Sequence, residues 1–188
     1  MAGADLTPAR FDEACLVLID CQNEYLSGPV ALPDAQAAVG EAKRLLAAAR
    51  SAGAPVVHVV HRGRAGGMFD LDAERGAIID GLTPEAGEVV IEKPLPNAFA
   101  QTGLEEALAA TGRRKLIVAG FMTHMCVSAT ARAALDHGFG ATVAADVCAT
   151  RDLPDGTGGV VAARDVHRVA LAELADRFAI VARGPDWF

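Results

Sequence analysis

Six short runs of valine, isoleucine and alanine, each five to seven residues long, recur along the chain with almost no polar residue inside them. They are CLVLID (15–20), PVVHVV (55–60), EVVIEK (88–93), KLIVAG (115–120), GATVAAD (140–146) and FAIVA (178–182). A strand with one wet face alternates apolar and polar residues, whereas a strand covered on both faces reads as a continuous apolar run. Between the runs lie alanine-rich segments with apolar residues at helical spacing, at 34–53, 101–112, 123–138 and 160–176. The first three end in glycine, a frequent helix stop. Strand and helix in alternation predict an α/β fold with right-handed crossovers. The expected form is a three-layer α/β/α, Rossmann-like arrangement around a six-stranded, mainly parallel sheet, with residues 1–188 as a single domain.

Two segments break the alternation. Residues 61–87 are rich in glycine and acidic residues, and 149–159 (ATRDLPDGTGG) are turn chemistry throughout. Both follow the C-terminal end of a predicted strand, the edge at which open parallel sheets bind ligands. Lids or subunit contacts are the expected uses of such loops.

Charge and cysteine content narrow the function. The formal net charge is −7 with no lysine- or arginine-rich run, so neither nucleic acid nor an anionic membrane is an expected partner. The apolar runs fall well short of the roughly 20 residues of a membrane helix. The first twenty residues lack the basic region of a signal peptide. With that reading, Cys15, Cys21, Cys126 and Cys148 are expected as reduced thiols in a cytoplasm, and no pair has zinc-ligand spacing.

Parallel strands bring three reactive side chains to one edge. Asp20 closes the first run, Lys93 closes the third, and Cys126 opens the segment after the fourth. A thiol has an ordinary pKa near 8.5, and a helix N-terminus or a neighbouring ammonium lowers it. Asp20 could take the thiol proton and return it to a departing amine, with Lys93 holding both anions. Taken singly, each residue has a plainer role: Cys126 as core packing, Asp20 as a turn cap, Lys93 as a solvated loop charge.

The segments LIDCQNEY, EKPLPNAF and GFMTHMCVSATARAALDHGF, in that order, resemble the isochorismatase-like cysteine hydrolases. This superfamily includes nicotinamidases, N-carbamoylsarcosine amidohydrolases and isochorismatases. The resemblance runs from about residue 12 to residue 182. It implies Cys126 as nucleophile, Asp20 as general base and then acid, and Lys93 as third member of a triad. It also implies a cis peptide between Phe121 and Met122, and an oxyanion hole formed by the Met122 and Cys126 N–H groups. The implied reaction is metal-independent cleavage of an amide-type C–N bond in a small molecule, through a thioester, with no cofactor. Homo-oligomers, dimers or tetramers, are implied as well.

Departures from relatives bear on the substrate. Nicotinamidases carry histidines and an aspartate after the second strand that bind a metal. Here His58 and His61 lie three apart on or just past a strand, on opposite faces, and make a poor chelating pair. Family members that cleave the vinyl ether of isochorismate often lack the cysteine, so Cys126 favours amide chemistry; Asp20-driven ether hydrolysis is the enzymatic alternative. A thiol redox or binding protein on the same scaffold is the non-enzymatic one. Gln22, Tyr25, Asn97, Phe99 and His124 are the candidate substrate contacts. Cys15, Cys21 and Cys148 read as packing, GRAGG (63–67) as a mobile segment without phosphate-loop context, and Arg62 and Arg64 as solvated charges.

Overall fold

The computed structural model describes residues 6–184 and 186–188. Strands β1 (Ala14–Ile19), β2 (Val56–His61), β3 (Val89–Lys93), β4 (Lys115–Phe121) and β5 (Gly140–Ala149) lie in one sheet. Two-residue strands β6 (Leu153–Pro154) and β7 (Val160–Val161) pair separately, and β8 (Ala179–Ala182) completes the main sheet. Its order is β3-β2-β1-β4-β5-β8, with every neighbouring pair parallel. From β1 the chain winds outward to β2 and β3, then crosses back to place β4 on β1's other side. The β1/β4 boundary is therefore the topological switch point, where a crevice opens at the carboxyl ends of the strands.

Alternation along β1 shows how the sheet is covered. Leu16 and Leu18 point into one core, which α2 (Ala35–Ser51) caps; Cys15, Val17 and Ile19 point into the other. Helix α2 buries Ala35, Ala38, Val39, Ala42, Leu45, Leu46 and Ala49, a stripe at spacings of three and four. Full burial of each leucine stabilises by roughly 1.5–3 kcal/mol, and the alanines let the helix lie close to the sheet. The opposite core takes Leu104 and Leu108 of α3 (Leu104–Ala110), Ala131 and Ala134 of α4 (Ser128–Asp136), and Leu171 and Leu174 of α5 (Ala163–Arg177). Among the described residues no helix is long and apolar enough to cross a membrane.

Several boundaries differ from the sequence reading. Strand β5 runs on to Ala149, and Val160–Val161 belong to a strand, not to the last helix. The segment 123–138 divides into a π-helical turn (Thr123–Val127) followed by α4, and a one-turn helix α1 (Glu24–Ser27) follows the first strand. Strand β3 is not covered on both faces: it is the sheet's edge, with Val89 39% and Val90 45% exposed. An apolar run reports β propensity as well as burial, so an edge strand imitates a central one.

Gly120 lies near the end of β4, at a register irregularity against β5. Its φ is +119°, and a Cβ there would stand 2.0 Å from the Ile19 carbonyl oxygen. Gly40, inside α2, has nothing within 4 Å of the same position. Gly120→Ala is expected to cost more than about 3 kcal/mol or prevent folding. Gly40→Ala should stabilise by about 0.5–1 kcal/mol. Urea titration of both variants checks the pair.

Candidate active site

Asp20 leaves the end of β1 with a left-handed backbone (φ +50°), a conformation that aspartate tolerates better than most residues. Its N–H donates to the Val59 carbonyl (2.8 Å) and its carbonyl accepts from the Gln22 N–H (2.8 Å), so the turn is fixed from both sides. Lys93 ends β3 and is fully buried. Its Nζ lies 2.9 Å from Asp20 Oδ2, 3.2 Å from Cys126 Sγ and 3.1 Å from the Leu95 carbonyl. The Cys126 sulfur and the Leu95 carbonyl accept hydrogen bonds from it, and Asp20 is held as an ion pair. Three side chains from three separate elements thus meet in one buried cluster, with Lys93 as the bridge.

Cys126 sits in the π-helical turn, where the Val127 N–H reaches back to the Met122 carbonyl (3.2 Å). The Phe121–Met122 peptide is cis. Burial, and after it the Asp20 carboxylate, push the Cys126 thiol up to about 12, with Lys93 pulling the other way. Burial likewise raises the Asp20 carboxyl above its ordinary range, opposed chiefly by Lys93. Desolvation and the neighbouring carboxylate thus oppose the helix dipole and the ammonium, which act to lower the thiol.

Cys126 opens onto a cavity of about 210 Å³ lined by Tyr25, Val30, His61, Phe69, Pro96, Met122, Met125 and Arg151. A larger groove of about 410 Å³ lies at the opposite edge, against Lys115, Gly140 and Ala179 at the starts of their strands, and touches none of the three clustered residues. The Phe69 ring meets Tyr25 (centroids 5.1 Å) and His61 (5.2 Å), and its N–H donates to buried Glu24 (3.2 Å). Arg151 Nε is buried and meets no hydrogen-bonding group of the protein.

Of the five residues expected to contact substrate, Tyr25 lines this cavity and four do not. Both Gln22 amide hydrogens are engaged, by the His61 and Gly76 carbonyls, and its oxygen accepts from the His61 N–H. It fastens the loop and has no donor left for a ligand. Asn97 closes a local turn onto the Phe99 N–H (2.9 Å). Phe99 packs in the core, stacked on His137 (4.6 Å) and against Phe139. The His124 ring hydrogen-bonds Thr150 outside the cavity.

His61, Phe69, Met125 and Arg151 were not singled out as substrate contacts. The legible hints were position only: His61 ends a strand at the ligand edge, and Arg151 lies in the turn segment after β5. His58 is tied to Glu88 (2.8 Å), which Arg50 also grips. Among the described residues no group of three or more His, Cys, Asp or Glu side chains is placed to hold a metal ion.

Comparison with known proteins bears on the family and the fold. The isochorismatase domain model matches residues 14–186. A secreted isochorismatase effector of Verticillium dahliae is 40% identical, across 99% of this chain and 96% of its own. The crystal structure of an isochorismatase from Pseudomonas putida KT2440 superposes with a TM-score of 0.92 at 48% identity, covering 96% and 93% of the two chains. The maleamate amidohydrolase of Pseudomonas putida is 34% identical over 66% of each chain. A parallel sheet of this order, a matched domain over nearly the whole length and relatives at this identity lead to one conclusion: the chain belongs to the isochorismatase family.

Proposed function

We propose that this protein is a metal-independent cysteine hydrolase that cleaves an amide-type C–N bond of a small molecule. One observation carries the reading: buried Lys93 touches both the Asp20 carboxylate and the Cys126 sulfur, and Cys126 lines a small, mostly apolar cavity. As Cys126 Sγ attacks the amide carbon, its proton passes to Asp20. The raised carboxyl makes Asp20 a stronger base than a free aspartate, whereas the raised thiol works against the transfer, so the thiolate has to be stabilised as it forms. Lys93 stabilises the developing thiolate, and the Met122 and Cys126 N–H groups are assigned to the oxyanion. Asp20 then protonates the leaving amine, which departs and leaves a thioester. Water attacks the thioester, Asp20 takes its proton, and the acid leaves as that proton returns to sulfur.

The cavity is smaller than the roughly 300–1,000 Å³ of sites for drug-sized ligands, which favours a small substrate. Arg151 gives it a positive wall suited to an acid. The maleamate amidohydrolase among the relatives acts on a substrate of that kind by its name. The same reading has the chain in the cytoplasm with its four buried thiols reduced, as a homo-dimer or tetramer. A second reading, vinyl ether hydrolysis with Asp20 as proton donor, is favoured by the name of the Verticillium relative and by the raised Asp20 carboxyl.

Cys126→Ala should lower ammonia release from maleamate by at least about 10⁴-fold with the fold retained, and Asp20→Asn by about 10²–10⁴-fold. Turnover that survives in Cys126→Ala, with pyruvate from isochorismate in place of ammonia, moves the assignment to the ether reading. Because Asp20 must be ionised to accept the proton and burial raises its carboxyl, the acid limb of kcat/KM should lie above about pH 4, the range of a free aspartate.

Iodoacetamide alkylation of Cys126 in the free enzyme should climb about tenfold per pH unit through pH 10, since the thiol is raised and only thiolate reacts. A plateau near or below about pH 8.5 would show the opposite balance, with Lys93 and the helix dipole prevailing.

A further inference from the structure

His61 is the last residue of β2 and stands in register with Lys93 on β3. Paired residues of parallel strands project to the same side of a sheet, so the imidazole leaves on the side from which Lys93 reaches the cluster. Its backbone is held twice by Gln22, the N–H donating to Oε1 (2.8 Å) and the carbonyl accepting from Nε2 (3.0 Å). Its ring stands edge-on to Phe69 at 5.2 Å and 85°. A side chain fixed at backbone and ring is already organised for a partner.

His61 lines the cavity that Cys126 opens onto, and Nδ1 of its ring is buried and meets no hydrogen-bonding group of the protein. Buried polar atoms are almost always paired, and one left unpaired in a native site calls for a reason. His58, three residues earlier on the same strand, shows the ordinary outcome: its ring is satisfied by Glu88. Burial first, and the Lys93 charge second, lower the His61 imidazole below its usual value, so it is neutral at pH 7.

Resting on the amide-hydrolase reading, we infer that His61 is a substrate-binding residue whose Nδ1 forms a hydrogen bond to the acyl part of the substrate. The substrate is therefore an amide with a second polar group beyond the scissile bond. A plain aliphatic amide would strand the imidazole in the closed complex, which is how a site built around a hydrogen bond rejects an analogue that lacks it.

Succinamate, with a terminal carboxylate, and butyramide, the same carbon chain without it, test the assignment by saturation kinetics of ammonia release. His61→Phe is expected to raise KM for succinamate roughly tenfold or more, with kcat within about threefold, and to lower the butyramide KM by relieving the stranded imidazole. His61→Gln, which keeps hydrogen-bonding atoms at similar reach, should recover most of the loss. A succinamate KM unchanged in His61→Phe overturns the inference. So does an equal rise for both amides, which marks lost pocket shape and not lost recognition.

If the wild-type protein releases ammonia from neither amide, calorimetry of succinamate on Cys126→Ala decides. Binding that weakens roughly tenfold on adding His61→Phe supports the contact, and absence of binding at millimolar succinamate overturns it. The underlying reading fails by a different result, ammonia release that persists in Cys126→Ala.

Discussion

Everything at the ligand edge of this sheet is arranged around one buried cation. Lys93 is enclosed completely, hydrogen-bonded to Cys126 and the Leu95 carbonyl and ion-paired with Asp20. An ion taken out of water loses several kcal/mol of hydration, so this lysine is tolerable only while all its partners stay in place. Those partners come from the end of β1, the turn after β4 and the loop after β3. The cluster forms only when the β3-β2-β1-β4 order is complete, which ties it to the topology of four of the sheet's six strands.

The turn that delivers Asp20 also builds the cavity wall. Gln22 fastens the backbone of His61 and the Gly76 carbonyl, Asn23 takes the Glu74 carbonyl and the Ala77 carbonyl, and Glu24 receives the Phe69 N–H. Glu24 is itself buried, faces Arg75 at 3.6 Å, and occupies the space a side chain at residue 28 would need. Three consecutive polar residues therefore pin a loop of some fifteen residues in place of regular secondary structure. A loop that must line a pocket without helix or strand has to satisfy its backbone through such side chains.

Burial sets the electrostatics of the nucleophile. Water can stabilise a free thiolate, but around Cys126 it is largely replaced by apolar groups and by a carboxylate of the same sign. The lone ammonium offsets this only in part. In the proposed reaction Cys126 therefore ionises during attack, as its proton moves to Asp20. Such an arrangement protects a cysteine from indiscriminate oxidation, since reactivity follows the thiolate fraction.

The sequence by itself determined the layer architecture, the six strands of the main sheet and the meeting of Asp20, Lys93 and Cys126. Continuous apolar runs, helical spacing and parallel crossovers are local or nearly local rules, and residues at three strand ends must share one edge. It did not reveal that β3 is an edge strand, because Val89 and Val90 satisfy β propensity whether covered or exposed. Nor did it separate Gln22, Asn97, Phe99 and His124 from the cavity or bring His61, Phe69 and Arg151 into it. Which way a loop side chain points depends on hydrogen bonds to residues some forty to fifty positions away, such as Gln22 to His61 and Gly76. The protonation state of Cys126 was beyond reach for the same reason. Helix and lysine are visible along the chain, whereas the exclusion of water that outweighs them exists only once the tertiary structure has closed around the thiol.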